Sequence, residues 1–356
     1  MIKKTLYLIT GIIFIFCILV TPIDAVSYKA QAYGWTIRLY GENRYETAVA
    51  ISQEIFPSGF ISGGVVIIST GENFPDALSG ASLGGALLNL HVDCSLLSTK
   101  SDTLPNVVIN EIIRLNPTGL YILGGYNAVS WDIEETISNL GYEVSRLSGF
   151  DRYETAAVAA YTGYNPEIID ISKVFIATGW NYPDALSAVP AAYAENAPIL
   201  LTRKDSLPDA TRAYLADVVE NQGKLESIRI VGGTSVIAWA LESELREYAE
   251  HIFRSSGLDR YETAASVAHD FFDTESTTGL VMARGDDFPD ALSGGMLGMY
   301  NFAPVVLTQT DILPSSTEQY LYDYTYGNFI YLLGGYNAIS SDVEYRINEV
   351  TGDGVG

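Results

Sequence analysis

Basic residues are scarce in this sequence. The chain has 20 lysines and arginines against 43 aspartates and glutamates, which gives a formal net charge of −23. Proteins that bind nucleic acid neutralise phosphates with an excess of lysine and arginine, so this balance argues against a nucleic-acid partner. It also means that an anionic ligand must be held by local positive groups or bridging cations against an unfavourable overall field.

Cysteine and histidine are equally scarce. Of the two cysteines, Cys17 lies in an N-terminal leader segment, and Cys94 alone cannot form an internal disulfide. His91, His251 and His269 occupy unrelated positions in the repeats described below, so no histidine-based acid–base or metal site recurs. No calcium-binding loop is recognisable either. The sequence therefore predicts neither a cofactor nor a specific metal site.

Long apolar runs are missing after the N-terminus. There, Lys3 and Lys4 precede the apolar run Leu6 to Val20, and a small residue, Ala25, follows it. This order predicts a secretory signal peptide at residues 1–25. The alternative is a retained membrane anchor, but the run is shorter than the roughly 20 apolar residues that a spanning helix needs. We therefore expect a secreted chain with no stable transmembrane anchor after cleavage.

Repetition is what the sequence has in abundance. The string Arg-Tyr-Glu-Thr-Ala begins at residues 44, 152 and 260, which are 108 residues apart in both intervals. The string (Phe/Tyr)-Pro-Asp-Ala-Leu-Ser and a Gly-Gly pair recur in step with it. Ordered motifs at a fixed interval the size of a small domain predict three copies of one structural unit. The predicted boundaries of the three repeats are 34–143, 144–251 and 252–356.

Each repeat has the pattern of an α/β unit. In the first repeat, the β-branched run Val65 to Ser69 predicts a buried strand, and Pro75 to Leu90 predicts a helix that starts at a proline. Further strands and helices alternate after them, which predicts a small parallel sheet covered on both faces. The repeated strings follow the strands directly. They therefore fall at the carboxyl ends, the edge where open parallel sheets bind ligands.

The polar residues of these strings are the candidate ligand-binding positions. Arginine binds carboxylates, phosphates and sugar hydroxyls through its planar fork, and tyrosine offers a ring face and a hydroxyl. A structural role competes with binding, because Arg44 could pair with Asp76 or Glu46 and brace two helix N-termini. Both roles stay open. The candidates are Arg44, Tyr45, Glu46, Asn73 and Asp76 in the first repeat, Arg152, Tyr153, Glu154, Asn181 and Asp184 in the second, and Arg260, Tyr261, Glu262, Asp287 and Asp290 in the third.

Together, these ordered motifs resemble the type-2 cell-wall-binding repeat of Gram-positive bacteria, over nearly the whole chain after the leader. The resemblance implies three Rossmann-like or toprim-like modules in a compact pseudo-threefold arrangement. It implies non-covalent anchoring to an anionic secondary cell-wall polysaccharide at the cell surface, often within or beneath an S-layer. The repeats depart from the pattern at Asp93-Cys94, at Thr234-Ser235-Val236-Ile237 and at Arg284-Gly285-Asp286-Asp287, so the three sites are expected to differ.

Two other functions are alternatives to wall anchoring. The chain could be a structural surface-layer or protein-interaction module that contacts other surface-layer proteins. A cell-wall hydrolase, such as an amidase, is less favoured, because three identical carboxylate sets would imply three active sites and the ordered residues of a hydrolase are not apparent. We therefore expect a binding protein rather than an enzyme, with the repeats filling the chain and no separate effector domain.

The third repeat lacks a fourth strand of its own. The segment Trp35 to Leu39, ahead of the first Arg-Tyr-Glu-Thr-Ala string, is an unpaired copy of that strand. We expect it to supply the missing strand and to close the assembly.

Overall fold

The computed structural model describes residues 29–33, 36–181, 183–272, 277, 279–287, 289–323 and 329–352. Within them it contains thirteen strands and twelve helices in alternation. Among these same residues, no helix combines the length and the apolar character needed to cross a membrane. The predicted signal peptide lies outside the described residues.

The elements follow one another in the order that the repeats predict. The chain begins with β1 (Lys29–Tyr33) and β2 (Thr36–Tyr40). The first repeat contains α1 (Arg44–Ile55), β3 (Gly64–Thr70), α2 (Pro75–Asn89), β4 (Asp93–Thr99), α3 (Asn106–Leu115), β5 (Gly119–Leu123), α4 (Trp131–Asn139) and β6 (Val144–Leu147). The second contains α5 (Arg152–Gly163), β7 (Lys173–Thr178), α6 (Pro183–Ala194), β8 (Ile199–Thr202), α7 (Asp209–Gln222), β9 (Leu225–Val231), α8 (Ala240–Leu245) and β10 (Ala249–Ser255). The third contains α9 (Arg260–Phe271), β11 (Gly279–Arg284), α10 (Pro289–Tyr300), β12 (Val305–Thr308), α11 (Ser315–Asp323), β13 (Phe329–Leu333) and α12 (Ser341–Val350).

Each repeat builds a small parallel sheet. The first has the strand order β4-β3-β5-β6 and the second has the equivalent order β8-β7-β9-β10, with every pair parallel. Strands of this kind are buried on both faces, which accounts for the continuous apolar run at Val65–Ser69. The predicted α/β class with small parallel sheets is confirmed.

The third sheet takes its fourth strand from the N-terminal segment. Its order is β12-β11-β13-β2-β1, and β2 lies parallel to β13 with Thr36 opposite Ile330 and Leu39 opposite Leu333. Strand β1 adds an antiparallel outer strand beyond β2. The expectation that this segment closes the third sheet is confirmed for residues 36–39, while Trp35 lies outside the described residues.

Three central helices hold the repeats together. Helices α2, α6 and α10 contact one another, and each also packs against the first helix of the next repeat: α2 on α5, α6 on α9, and α10 on α1. Small residues permit this close approach, since a Cβ at Gly84 would lie only 2.9 Å from Sδ of Met296 in the third repeat. The contacts run in a closed circle, which gives the predicted compact pseudo-threefold arrangement.

Cys94 lies in this central region and is fully buried. Its backbone N–H donates a hydrogen bond of 2.9 Å to the Tyr300 hydroxyl, which belongs to the third repeat. Burial raises the pKa of the Cys94 thiol far above its usual range, so the group stays protonated. The cysteine therefore serves packing between repeats rather than nucleophilic chemistry.

Candidate functional site

The three Arg-Tyr-Glu-Thr-Ala strings form the first turns of α1, α5 and α9. Asn43, Asp151 and Asp259 precede them as N-cap residues. One side-chain oxygen of each accepts hydrogen bonds of 2.9 to 3.1 Å from the next tyrosine and glutamate N–H groups. These caps satisfy backbone donors that every helix start leaves without an intrahelical partner. They fix where each string begins.

The glutamates of the strings close the loop that leads into each helix. Glu46 accepts a hydrogen bond of 2.9 Å from the backbone N–H of Glu42, and Glu154 accepts one of 2.7 Å from that of Phe150. Glu262 makes the equivalent contact in the third repeat. Their carboxylates therefore serve local structure, in the manner of a capping box.

The arginines brace the loop after the first strand of their own repeat. One Nη1–H of each donates a hydrogen bond of 2.5 Å to a glycine carbonyl oxygen. The pairs are Arg44 with Gly71, Arg152 with Gly179, and Arg260 with Gly285. The partner is thus a backbone carbonyl, whereas the sequence suggested the carboxylate of Asp76 or Glu46.

The tyrosines of the strings lie against the same glycines. Tyr153 is buried and Tyr45 and Tyr261 are half-buried. Burial raises the pKa of all three hydroxyls. The Arg203 guanidinium lies over the Tyr153 ring, 4.7 Å from its centroid. The Tyr153 ring is therefore occupied by protein contacts.

The aspartates of the Pro-Asp strings lie where their own repeat meets the next one. Asp76, Asp184 and Asp290 lie in the first turns of α2, α6 and α10. The arginines of the following repeat act on their charges, in the pairs Asp76 with Arg152, Asp184 with Arg260, and Asp290 with Arg44. In each case the arginine belongs to the repeat that follows that of the aspartate, and for Asp290 this is the first repeat.

Burial controls the protonation of these aspartates. It raises the pKa of Asp184 and of Asp290 to about 6, and it raises that of Asp76 as well. The facing arginine opposes the shift in each case, as does a threonine hydroxyl, Thr263 beside Asp184 and Thr47 beside Asp290. Loss of solvation outweighs these attractions. Asp184 and Asp290 therefore change protonation in weakly acidic solution.

The first glycine of each Gly-Gly pair makes room for these carboxylates. Gly124, Gly232 and Gly334 have φ values of 98°, 121° and 97°, in the region that favours glycine. A Cβ at Gly334 would lie 2.6 Å from the Asp290 carboxylate oxygen. Glycine at this position thus allows both the positive φ of the turn and the close approach of the carboxylate.

Two clefts open at these junctions. The 1–2 cleft, between the first and second repeats, has a volume of about 430 Å³, and the 3–1 cleft, between the third and first, about 480 Å³. Both fall in the size range of small-ligand sites. The 1–2 cleft is lined by Asn73, Pro75, Asp76, Gly125, Tyr126, Asn127, Ala128, Gly149, Phe150, Asp151, Arg152 and Thr155. The 3–1 cleft is lined by Tyr40, Gly41, Glu42, Asn43, Arg44, Thr47, Arg284, Asp287, Asp290, Gly335, Tyr336, Asn337 and Ala338. We call the equivalent contact between the second and third repeats the 2–3 junction.

The remaining predicted positions lie in the loops after the first strands. Asn73 is exposed at the 1–2 cleft, and its side-chain oxygen accepts a hydrogen bond of 3.0 Å from the backbone N–H of Phe74. Asn181 is half-buried at the corresponding place in the second repeat. In the third repeat, Asp287 lies 3.6 Å from the Arg284 guanidinium, so an ion pair takes the place of the usual asparagine loop.

A second set of arginines was missed as candidates. Arg38, Arg146 and Arg254 lie on the fourth strands, and each donates through Nη1 to the carbonyl of the first glycine of a Gly-Gly pair, at 3.0, 2.8 and 2.6 Å. Each also pairs with a glutamate on the last helix of a repeat: Arg38 with Glu344 of α12, Arg146 with Glu134 of α4, and Arg254 with Glu242 of α8. Their repetition, six residues before the arginine of each Arg-Tyr-Glu-Thr-Ala string, was the signal available in the sequence.

Comparison with known families gives three matches to one family along the chain. Residues 38–134, 146–242 and 254–344 match Cell wall binding domain 2 (CWB2). Each match spans the region from a fourth-strand arginine to the last helix of a repeat.

Two curated relatives come from Bacillus subtilis strain 168. The chain is 30% identical to N-acetylmuramoyl-L-alanine amidase LytC over 318 residues, which cover 89% of this chain and 59% of the amidase. It is 27% identical to the amidase enhancer over 316 residues, covering 87% of this chain and 39% of the enhancer. The chain therefore spans less than two thirds of the length of either relative.

Two solved structures from Clostridium difficile share the fold. Cwp8 superposes with a TM-score of 0.77 at 26% identity, covering 89% of this chain and 52% of Cwp8. Cwp6 superposes with a TM-score of 0.77 at 25% identity, covering 92% of this chain and 50% of Cwp6. Because the three matched repeats cover most of its length, the chain belongs to the Cell wall binding domain 2 family.

Proposed function

We propose that this chain attaches non-covalently to the cell wall of a Gram-positive bacterium by binding an anionic secondary wall polymer in the clefts between its repeats. The observation that carries the proposal is that each junction brings an arginine of one repeat near the Pro-Asp aspartate of the preceding repeat. Arg152 and Asp76 both line the 1–2 cleft, and Arg44 and Asp290 both line the 3–1 cleft.

The raised pKa of the aspartates supports an anionic ligand. An ionised carboxylate would repel a phosphate or carboxylate group at the same place, whereas a protonated one can donate a hydrogen bond to it. The pKa of Asp290 is raised to about 6, so binding an anion beside it needs only modest proton uptake. Arg44 then supplies a local positive charge in a chain whose net charge is −23.

Several weak sites on one chain suit a polymer. A polymer that occupies one cleft presents its next units to the neighbouring cleft at high effective concentration, and linked sites of this kind gain roughly 10² to 10⁴ in avidity. The cyclic arrangement keeps the junctions at fixed separations. Other surface-layer proteins are possible additional partners of the exposed faces in this proposal, which places the chain at the cell surface after secretion.

We also propose that the repeats bind without catalysis. The amidase relative extends well beyond the region that it shares with this chain, which covers 59% of its length. A zymogram on purified walls tests this point. A clearing band from the purified chain would contradict a binding-only role.

The proposed function is tested by sedimentation with isolated walls. We expect the chain to sediment with intact walls and to stay in solution with walls stripped of their secondary polymer. Equal retention on both would defeat the proposal. A variant carrying Arg44→Ala and Arg152→Ala should lose retention, whereas Arg346→Ala, which removes an exposed arginine of α12 paired with Glu318 and Glu349, is the matched control.

Because Arg44 and Arg152 also brace loops, the variant needs a second readout. Its thermal unfolding and circular dichroism report whether the fold survives. Lost retention in a folded variant supports a binding role, and full retention with a lowered melting temperature would assign the arginines to bracing alone.

A further inference from the structure

Exposed aromatic side chains line the 1–2 and 3–1 clefts. In the 1–2 cleft, Tyr126 is 58% exposed and Phe150 is fully exposed. In the 3–1 cleft, Tyr336 is 44% exposed and Tyr40 lines the same cleft. Exposed aromatic rings inside a concave polar site are typical of ligand contacts, because packing within the protein does not require them to be exposed there.

The cleft tyrosines are held rigidly from behind. The Arg146 guanidinium lies 4.3 Å from the Tyr126 ring centroid, and Arg38 lies 4.3 Å from that of Tyr336. Each arginine is itself fixed by a glycine carbonyl and a glutamate, as described above. One face of each ring is thus occupied by a cation, while the exposure of the ring leaves surface for a ligand. A preorganised ring loses little conformational entropy when a ligand stacks on it.

The 2–3 junction has none of these rings at the equivalent sequence positions. Thr234 replaces Tyr126 and Tyr336, Leu258 replaces Phe150, and Ser256 replaces Tyr40. The arginine brace is nevertheless kept, since Arg254 donates to the Gly232 carbonyl at 2.6 Å. The difference therefore lies in the surface offered to a ligand and not in the scaffold behind it.

We infer that the 1–2 and 3–1 clefts each bind a sugar ring stacked on Tyr126 or Tyr336, and that the 2–3 junction lacks this site. The C–H face of a pyranose is apolar and packs on an aromatic face, while its hydroxyls need amide partners. Asn127 and Asn337 follow the two tyrosines and line the same clefts. The arginine at each junction then donates hydrogen bonds to an anionic group on the same polymer unit.

This inference rests on the proposed function, and it makes a separate prediction about the number of sites. The probe is a purified preparation of short fragments of Gram-positive secondary wall polymer, titrated into the full chain by calorimetry. We expect two fragments per chain. Tyr126→Ala and Tyr336→Ala should each weaken binding at their own cleft by about tenfold, the factor that matches loss of one stacking contact.

Matched variants separate stacking from other effects. Tyr126→Phe keeps the ring and should bind within about twofold of the wild type. This is well short of the tenfold loss, equivalent to about 1.4 kcal/mol, that is expected when the stacking contact is removed. Tyr345→Ala removes a 60% exposed tyrosine of α12, outside both clefts, and should leave binding unchanged. Thr234→Tyr places a ring in front of Arg254 and should create a third site. Tyr126→Phe and Thr234→Tyr keep the test informative if an alanine variant fails to fold.

The outcomes distinguish the two proposals. Three equal sites in the wild type, or alanine variants that bind fragments as tightly as the wild type, would overturn the stacking inference while leaving wall attachment intact. A wild-type chain that binds neither walls nor fragments would instead remove the proposed function. Inorganic phosphate alone serves as the anion-only arm, and its binding should not respond to Tyr126→Ala.

Discussion

The third sheet and the first sheet have the same strand order but obtain the fourth strand differently. Strand β6 follows α4 after four residues and pairs with β5 in the same repeat. Strand β2 pairs with β13, from which it is separated by most of the chain. It also has a second neighbour, β1, whereas β6 lies at the edge of its sheet. The first sheet is therefore completed by a strand from its own repeat, and the third sheet by a strand from the opposite end of the sequence.

This difference shows what makes the three repeats one assembly. The junctions between the first and second and between the second and third repeats are bridged by continuous chain. At the junction between the third and first repeats, β2 serves this purpose, because it is covalently joined to α1 and hydrogen-bonded to β13. The stability of the third repeat thus depends on a segment at the far end of the sequence.

Removal of β2 should have the largest effect. A variant that begins at Gly41 loses the buried Leu39 and the Arg38–Glu344 pair, which should cost at least about 5 kcal/mol of folding free energy. Urea unfolding of the variant, followed by circular dichroism, should show a separate early transition that the full chain lacks.

A permuted variant is the control for this deletion. Residues 36–40 are appended after Gly352 through a link that makes the connection four residues long, as it is between α4 and β6. The permuted chain should recover most of the lost stability. If the permuted chain unfolds as early as the deletion variant, a fourth strand attached after α12 cannot replace one that is joined to α1.

Substitution of the fourth-strand arginines sharpens the same comparison. Arg38 is 0% exposed and its partner Glu344 is 8% exposed, whereas the Arg146 and Glu134 side chains are 9% and 23% exposed. Arg38→Ala leaves a buried glutamate without its partner and should cost about 3–5 kcal/mol. Arg146→Ala should cost less, because water reaches Glu134. Chemical denaturation of both variants measures the difference, and equal losses would show that the two sheets are closed equally tightly.

The aspartates at the junctions predict a pH dependence. Burial raises the pKa of Asp184 to about 6 in the folded chain, above its value near 3.8 in the absence of burial. The folded state therefore binds more protons between these values, and the contribution of Asp184 to stability is lost as the pH rises from about 4 through about 6. Asp184→Asn mimics the protonated group. It should stabilise the chain by up to about 2–3 kcal/mol above pH 6 and by little at pH 4.

Asp290 permits the same measurement at the junction that β2 closes. Burial raises its pKa to about 6 too, so Asp290→Asn should produce the same sign of pH dependence. Thermal unfolding of both variants across pH 4 to 8 compares the two junctions. A wild-type minus variant difference that does not change with pH would contradict the raised pKa.

The smallest expected effect concerns two equivalent helix starts. Ser340 caps α12 with a side-chain bond of 3.4 Å to the N–H of Val343, whereas Ser130 precedes α4 without such a bond. Ser340→Ala should cost about 0.5–1 kcal/mol, and Ser130→Ala should cost less. Equal losses in denaturant titrations would show that the hydroxyl of Ser130 also contributes.

Much of the fold was predictable because the repeats made each pattern visible three times. The predicted strand Val65–Ser69 is found at Gly64–Thr70, and the predicted helix from Pro75 to Leu90 at Pro75–Asn89. The role of the N-terminal segment followed from counting strands. These inferences depend on local periodicity and on the order of elements, both of which a sequence contains.

The arrangement of the site was less accessible. Sequence spacing places Arg44 and Asp76 in one repeat, but Asp76 faces Arg152 of the next repeat because α2 packs on α5. Nothing in the motifs states which repeat supplies the facing residue. Tyr126 passed unnoticed because exposure is a property of the folded surface.

Strand β2 is synthesised early but can pair with β13 only after nearly the whole chain has been made. Thr36 leaves the ribosome long before Ile330, and closing so long a loop carries an entropic cost that grows with the logarithm of its length. Until β13 is present, the side chains of Arg38 and Leu39, fully buried in the finished molecule, remain open to other chains. A second copy of this chain offers the same acceptor edge at β13. Strand exchange between copies is therefore the characteristic misassembly of this architecture at high concentration.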